Sequence, residues 1–152
     1  MKAVIQRVKS AKINIDGKVH SQINEGLLVF LGIMKNDKEQ YADFLAKKIT
    51  NLRIFGDEND KMNLSVKDIS GEIMVISQFT LCTDNKKSGN RPGFFNAEES
   101  TKAKVMYEKF IGYCGTFYNE DKIKQGVFAA KMEIYLINDG PVTILLEENG
   151  KQ

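Results

Sequence analysis

Two hydroxyl side chains stand at the end of an apolar run in the middle of the chain. The segment Ser77-Gln78-Phe79-Thr80-Leu81 closes a predicted core strand over residues 72–80 and leads into a polar loop over residues 83–93. Such a place suits chemistry, because the sheet fixes the side chains while the loop admits a substrate. The simpler alternative is structural, since Ser and Thr hydroxyls commonly bond to nearby backbone groups.

A hydrolytic triad does not account for these hydroxyls. His20 is the only histidine of the chain and falls in a predicted hairpin, so no Asp–His pair is available to activate Ser77 or Thr80. Cys82 and Cys114 have no paired spacing, and one histidine beside them does not make a zinc site. The sequence therefore predicts neither a metal nor another cofactor.

The second candidate segment is Asn138-Asp139-Gly140-Pro141-Val142-Thr143. A tight turn between two strands is one interpretation, because Gly and Pro punctuate chains. A Pro directly before a strand is nonetheless rare without a positional reason. If the Gly140–Pro141 bond is cis, which X–Pro bonds allow, both neighbouring carbonyl groups point out of the turn. They then form a pair of acceptors with no side chain in front of them.

Composition predicts one globular domain over residues 1–152, with 42% hydrophobic and 28% charged residues. The net charge of +2 is too balanced to indicate a nucleic-acid partner by itself, although Lys86, Lys87 and Arg91 form a local basic patch. The first residues contain no long apolar run, which predicts no signal peptide and no membrane anchor. We therefore expect a cytoplasmic protein.

The apolar pattern predicts several strands. Residues 2–15 alternate and are followed by Asp16-Gly17, a signal for a two-residue hairpin turn, with residues 18–23 as the return strand. The continuous apolar run over residues 27–33 predicts a central strand covered on both faces. Residues 53–55, 132–136 and 142–146 are further strand candidates, and residues 138–141 are expected to interrupt the last two.

Two segments have helical spacing. Asn36 or Asp37 is the expected cap of the first, and its apolar face carries Tyr41, Phe44, Leu45, Lys48, Ile49 and Leu52. The second is expected over residues 98–112, where the acidic pair Glu98-Glu99 suits the positive end of the helix dipole. We interpret these two glutamates as solvated charges. Strands and helices in mixed order predict an α+β fold with a largely antiparallel sheet.

Together the two candidate segments resemble the signature motifs of the D-aminoacyl-tRNA deacylases, the D-tyrosyl-tRNA deacylase family. The likeness runs from Met1 to about Glu147. Further stretches agree with that family, namely Ala3–Val8, Gly26–Val29, Lys61–Ser65, Gly89–Pro92 and Phe128–Ala130.

The resemblance implies a compact, barrel-like sheet with two main helices, and a homodimer with two active sites at the subunit interface. Each site takes the catalytic segment Ser77, Gln78, Phe79 and Thr80 from one subunit, and a cis Gly140–Pro141 segment from its partner. Arg7 matches the residue that braces this segment. Phe128 and Met132 match positions that line the pocket for the 3′-terminal adenosine of the aminoacyl-tRNA.

The resemblance also implies hydrolysis of the ester between tRNA and a D-amino acid or mischarged glycine, a quality-control step in translation. Carbonyl groups of Gly140 and Pro141 would hold the substrate amino group, and an L-residue would push its Cβ into the backbone. Backbone N–H groups near Phe79 and Thr80 would stabilise the oxyanion. Either the ribose hydroxyl activates water, or Thr80 is a covalent nucleophile.

Two other classes of function stay open from the residues alone. A nucleic-acid-binding dimer without catalysis would use the basic patch and bind in a salt-sensitive way. A purely structural dimer would use Gly140-Pro141 only as a turn. Cys82, which lies beside the first motif, is better interpreted as a buried thiol than as a nucleophile.

Overall fold

The fold is a mixed sheet with two helices against one face. The computed structural model describes residues 1–84 and 89–150, so Lys86 and Lys87 of the predicted basic patch lie outside the described residues. The helices are α1 (Glu39–Thr50) and α2 (Ser100–Phe117). The strands are β1 (Lys2–Ile15), β2 (Lys18–Ile23), β3 (Gly26–Gly32), β4 (Phe55–Gly56), β5 (Met62–Leu64), β6 (Glu72–Ser77), β7 (Ile123–Gln125) and β8 (Glu133–Glu147).

Strand β1 organises the sheet, because β2, β3 and β8 all pair with it in antiparallel orientation. The order continues from β3 to β6 and β7 through two parallel pairings. The predicted α+β class, with a barrel-like sheet and two main helices, is confirmed. The predicted hairpin is also confirmed, since Asp16 and Gly17 both have positive φ, as a type I′ turn requires.

Two apolar clusters lie on opposite faces of the sheet. Leu27, Val29 and Leu31 point into the cluster shared with the helices, whereas Leu28 points into a second cluster. This alternation is that of an extended strand, and it covers both faces of β3 as predicted.

Helix α1 has a different cap from the one predicted. Lys38 occupies the N-cap position without a side-chain hydrogen bond. The carboxylate of Asp37 instead accepts hydrogen bonds from the N–H of Met34, at 2.7 Å, and from the amino group of Met1, at 2.6 Å. Of the predicted apolar face, Tyr41, Leu45 and Ile49 are buried, while Phe44 is 44% exposed.

Helix α2 begins two residues later than predicted and extends five residues further, to Phe117. Glu99 is its N-cap, and the carboxylate accepts hydrogen bonds from the N–H groups of Thr101 and Lys102. None of the helices in the described ranges is long and apolar enough to cross a membrane.

Candidate active site

The first motif ends β6 earlier than predicted. Ser77 is the last residue of the strand, where it pairs with Leu31, and the following N–H of Gln78 donates to Leu31 O at 2.8 Å. The chain then turns into a 3-10 helix over Phe79–Cys82. Because the first N–H groups of a helix have no acceptor within it, those of Phe79 and Thr80 are available to a ligand.

The 3-10 helix is anchored at its far end. The Cys82 thiol is buried and donates to Ile33 O at 3.3 Å. Burial raises the pKa of this thiol, which favours the unreactive protonated form. Thr80, in contrast, is exposed, and its hydroxyl accepts a hydrogen bond from Gln78 Nε2.

A cavity of about 530 Å³ opens beside this helix. Among the predicted site residues, Ser77, Gln78 and Phe79 line one side of it, and Phe128 and Met132 line another. The structure therefore brings together residues that lie some fifty positions apart in the sequence. The cavity wall does not include Thr80, Arg7, Gly140 or Pro141.

The wall around Phe128 is fixed from behind by Tyr107 of α2. The Tyr107 hydroxyl donates to Val75 O at 2.8 Å, and Gly126 N–H donates to the same carbonyl at 3.0 Å. The ring of Tyr107 lies 5.8 Å from that of Phe128. Ala129, on the same wall, has a φ of 61°, in the left-handed region that few non-glycine residues adopt.

Two polar residues of the cavity wall, Glu98 and Ser100, were not predicted as site residues from the sequence. Glu98, interpreted above as a solvated charge, is half-buried and lines the wall. Its N–H donates to Ile33 O at 3.0 Å, and its Oε1 accepts a hydrogen bond from Glu99 N–H at 2.8 Å. Nothing in the local pattern distinguishes Glu98 from its neighbour Glu99, so only the position of β3 reveals the difference.

The second motif is a bulge within β8, which continues through it instead of stopping. Gln6 of β1 faces Thr143 and Val8 faces Asn138, so residues 139–142 stand opposite Arg7 alone. The Asn138 side chain closes the bulge, since its Oδ1 accepts from Val142 N–H at 3.0 Å and its Nδ2 donates to Val142 O at 3.2 Å. The Gly140–Pro141 bond is cis, and both residues are exposed.

Arg7 holds the base of this bulge. Its Nε lies 3.1 Å from both the carbonyl oxygen and the carboxylate Oδ2 of Asp139, and its Nη1 donates to Ile54 O at 2.5 Å. Gly140 has a φ of +134°, and a Cβ there would lie 3.1 Å from Arg7 Nη2 and 2.9 Å from Val142 N. A side chain at position 140 is therefore both strained and crowded.

The two motifs are far apart within one chain. Ile134, which lines the cavity, precedes Gly140 by six residues in the same strand. A strand rises by about 3.3 Å per residue, so the four steps from Ile134 to Asn138, where the bulge begins, already separate the two by about 13 Å. In the described ranges, 1–84 and 89–150, no three His, Cys, Asp or Glu residues are grouped as metal ligands.

Comparison with known proteins decides the family. Residues 4–147 match the model of the D-Tyr-tRNA(Tyr) deacylase family. The chain belongs to this family. Its deacylase relatives include proteins named D-aminoacyl-tRNA deacylase from Dictyoglomus turgidum, 52% identical over 97% of this chain and 92% of the relative, and from Cytophaga hutchinsonii, 51% identical over the whole of both chains.

Solved structures agree with the deacylase fold. A structure titled c-Myc DNA Unwinding Element Binding Protein superposes with a TM-score of 0.93 at 40% identity, over 99% of this chain and 100% of that one. A probable eukaryotic D-amino acid tRNA deacylase superposes with a TM-score of 0.79 over 95% of this chain and 97% of that one. At 12% identity, the second likeness concerns the fold alone.

Proposed function

We propose that this protein hydrolyses the ester bond between a D-amino acid, or mischarged glycine, and the 3′ end of tRNA. Membership of the deacylase family carries the proposal, together with the cavity that opens where the Ser77–Leu81 motif ends β6. We propose that the whole chain, residues 1–152, acts as one domain, and that it works in the cytoplasm, where charged tRNA is used.

The cavity suits the terminal adenosine of tRNA. Single-stranded RNA ends are commonly recognised by stacking of unpaired bases on aromatic side chains and by hydrogen bonds to their edges. Phe128 and Met132 offer an apolar surface of this kind, and the volume of about 530 Å³ is within the range of small-ligand sites. The ester would then lie beside Ser77, Gln78 and Phe79.

The second motif reaches this ester only from a second copy of the chain. Within one chain, the bulge that carries Gly140 begins about 13 Å along β8 from Ile134 at the cavity. Its segment is exposed on the surface, where a partner subunit is able to receive it. We propose a homodimer in which each Gly140–Pro141 segment completes the site of the other subunit, so that two-fold symmetry generates two equivalent sites.

The segment would select handedness through its main chain. Carbonyl groups of Gly140 and Pro141 accept hydrogen bonds from the substrate amino group, and the side chain of a D-residue then faces solvent. An L-residue would place its Cβ against the backbone, and this clash excludes it. Glycine has no Cβ and passes the same filter.

The chemical step needs little from side chains, because an aminoacyl ester is already reactive. Water attacks the ester carbon, the N–H groups of Phe79 and Thr80 hold the oxyanion, and the bond to the ribose oxygen breaks with protonation of that oxygen. In this route, the neighbouring ribose hydroxyl of the tRNA activates the water. The Thr80 hydroxyl is the weaker candidate for nucleophile, since it lies outside the cavity wall and is engaged by Gln78.

Deacylation of D-Tyr-tRNA and L-Tyr-tRNA by the purified protein tests the reaction. We expect release of tyrosine from the D-ester only, and of glycine from Gly-tRNA. The variant Thr80→Ala separates the two mechanisms. A rate within about tenfold of wild type supports the RNA-assisted route, while a loss to background supports a Thr80 nucleophile, because removal of a nucleophile costs orders of magnitude.

Mixing two inactive variants tests the shared site. Ala130→Trp fills the cavity, and Gly140→Ala distorts the bulge. Refolded together in equal amounts, half of the dimers are mixed and contain one intact site, so about a quarter of wild-type activity returns. A mixture as inactive as its components, with dimers present, would mean that each site is built within one chain.

The non-catalytic alternative is not favoured. Its basic patch includes Lys86 and Lys87, outside the described residues, and only Arg91 is placed, exposed on the surface. Binding of tRNA without any release of D-tyrosine would revive it.

A further inference from the structure

We infer that Glu98 reads the terminal base of the tRNA, by accepting a hydrogen bond from the exocyclic amino group of adenine. This rests on the proposed function, because it places the terminal adenosine in the cavity beside Ser77–Phe79. It assigns a specificity-determining role to a residue outside both sequence motifs.

Glu98 is held in place on both sides. The preceding residue, Ala97, forms a bridge with Met34, and the N–H of Glu98 itself donates to Ile33 O at 3.0 Å. The carboxylate is fixed by a hydrogen bond from Glu99 N–H to Oε1, at 2.8 Å. Within the described parts of the chain, the second oxygen, Oε2, accepts no hydrogen bond. One acceptor of a restrained carboxylate is thus available to a ligand.

The charged side chains of the cavity wall indicate which chemical class of ligand it accepts. Glu98 is the one acidic side chain on the described wall, and no Lys, Arg or His lines it. Lys102 and Lys109 line a neighbouring cavity that shares Glu98, and Lys109 forms an ion pair with Glu39. A phosphate or a carboxylate is therefore disfavoured, whereas a neutral group that donates hydrogen bonds fits.

A purine base matches this combination of surfaces. Phe128, Met132 and Ile134 supply apolar area for its plane, and Glu98 supplies an acceptor for its edge. Adenine carries a donor in its exocyclic amino group, as cytosine does in the pairing with carboxylates known from base recognition. Hypoxanthine presents a carbonyl oxygen at the same place, which a carboxylate repels.

The test uses three D-Tyr-tRNAs that differ only in the terminal nucleoside, namely adenosine, purine riboside without the amino group, and inosine. For the wild type, we expect kcat/KM to fall about tenfold with purine riboside and at least as much with inosine, since hydrogen bonds to charged groups have that magnitude. The loss should appear mainly in KM, because the base is bound equally before and during the reaction.

Variants of Glu98 make the test specific. Glu98→Ala should lose activity on adenosine but no longer distinguish it from purine riboside. Glu98→Gln should recover activity on the inosine-ended substrate, at least about fivefold relative to the wild-type enzyme, because an amide N–H is able to donate to the carbonyl of hypoxanthine. Glu108→Gln, at an exposed carboxylate of helix α2, the helix that Glu98 precedes, is the matched control and should keep the wild-type pattern.

Two results would overturn the inference without affecting the proposed deacylation. In the first, Glu98→Ala loses as much activity as the wild type does when adenosine is replaced by purine riboside. In the second, Glu98→Gln discriminates against inosine as strongly as the wild type does. If the wild type releases no D-tyrosine from the adenosine-ended tRNA, the proposed function fails instead. The Kd values of the uncharged adenosine-, purine riboside- and inosine-ended tRNAs then test the base contact without turnover. The same pattern across the variants supports it, and equal Kd values for the three tRNAs refute it.

Discussion

Replacement of Arg7 by methionine tests whether the Gly140–Pro141 bulge is held by hydrogen bonds to main chain. Arg7 is 14% exposed and donates to the carbonyl oxygens of Asp139 and Ile54. Methionine fills a similar volume but leaves both carbonyls without their donor. A hydrogen bond from a charged group contributes about 1.5–3 kcal/mol, and partial access of water to Asp139 O reduces the sum. We expect a loss of about 2–4 kcal/mol in the free energy of unfolding.

The magnitude translates into a measurable shift. For a chain of this size, 1 kcal/mol corresponds to about 2–4 °C in Tm, so a loss of about 2–4 kcal/mol in Arg7→Met should lower Tm by roughly 4–16 °C. Calorimetry at fixed protein concentration gives this value, since the proposed subunit association would also affect Tm. At 25 °C, where the variant remains folded, deacylation of D-Tyr-tRNA should nevertheless fall, because the bulge is no longer fixed.

Two controls separate the main-chain contacts from the ion pair. Asp139→Asn removes the carboxylate but keeps the carbonyl, and an ion pair at a 31% exposed group contributes less than about 1 kcal/mol. Lys9→Met removes a cation 3.9 Å from the same carboxylate at a 68% exposed position, and we expect no measurable change. An Asp139→Asn loss as large as that of Arg7→Met would refute the reasoning.

Three further predictions concern the support of the fold and the cavity. Tyr107→Phe should lower the free energy of unfolding by only about 1 kcal/mol, because Val75 O still accepts from Gly126 N–H; urea titration measures this loss. The KM for D-Tyr-tRNA should stay unchanged in steady-state kinetics, because the ring that supports Phe128 remains. The N–H and hydroxyl of Ser65 lower the pKa of Asp68, so this carboxylate contributes stability above its unfolded pKa of about 3.8 and loses it as pH falls through the lower folded pKa. Asp68→Asn should therefore flatten the acid limb of a stability–pH curve, and an unchanged limb would exclude the contribution. Ala129→Gly should leave Tm within about 2 °C, because relief of a positive φ offsets added chain entropy, whereas Ala129→Val should lower it; scanning fluorimetry checks both.

The sequence pattern predicted correctly those turns and strands whose structure depends on neighbouring residues alone. The Asp16-Gly17 turn is determined by the φ angles that its two residues accept. The run over residues 27–33 predicted a strand covered on both faces, since a sheet with helices on one side and a second cluster on the other has no solvent face there. In both cases the local residue types alone determine the structure: the turn through its allowed φ angles, and the strand through its continuous apolar side chains.

The predictions for Asp37 and Glu98 were wrong because each residue bonds to a group outside the local segment from which its role was predicted. Asp37 is a good helix cap by type, but Met34 N–H and the Met1 amino group occupy its carboxylate. Glu98 and Glu99 are equivalent in sequence, yet the carbonyl of Ile33, the residue after β3, accepts from Glu98 N–H and holds Glu98 at the cavity, which leaves Glu99 to cap α2. Periodicity contains no information about such contacts.

The candidate site depended on resemblance for a similar reason. Ser77–Phe79 stood out by type and position, but no spacing rule joins them to Phe128 or Met132, which β7 and the turn after it bring to the same cavity. The proposed role of Gly140–Pro141 concerns a second chain, and no pattern within one chain encodes a distance to a partner.

A recognition segment without reactive side chains acts only through its position, so its neighbours must determine that position. Here the Asn138 side chain is hydrogen-bonded to Val142 and Thr143 across the bulge, and Arg7 fixes its base. Main-chain acceptors cannot be displaced by side-chain rotation, which suits the proposed filter against L-residues of every shape. The same reasoning applies to the proposed oxyanion donors, which belong to the backbone of the Phe79–Cys82 helix, whose end is anchored by buried Cys82. Residues that touch no substrate therefore carry much of the proposed specificity, and their replacement should alter discrimination before it alters the fold.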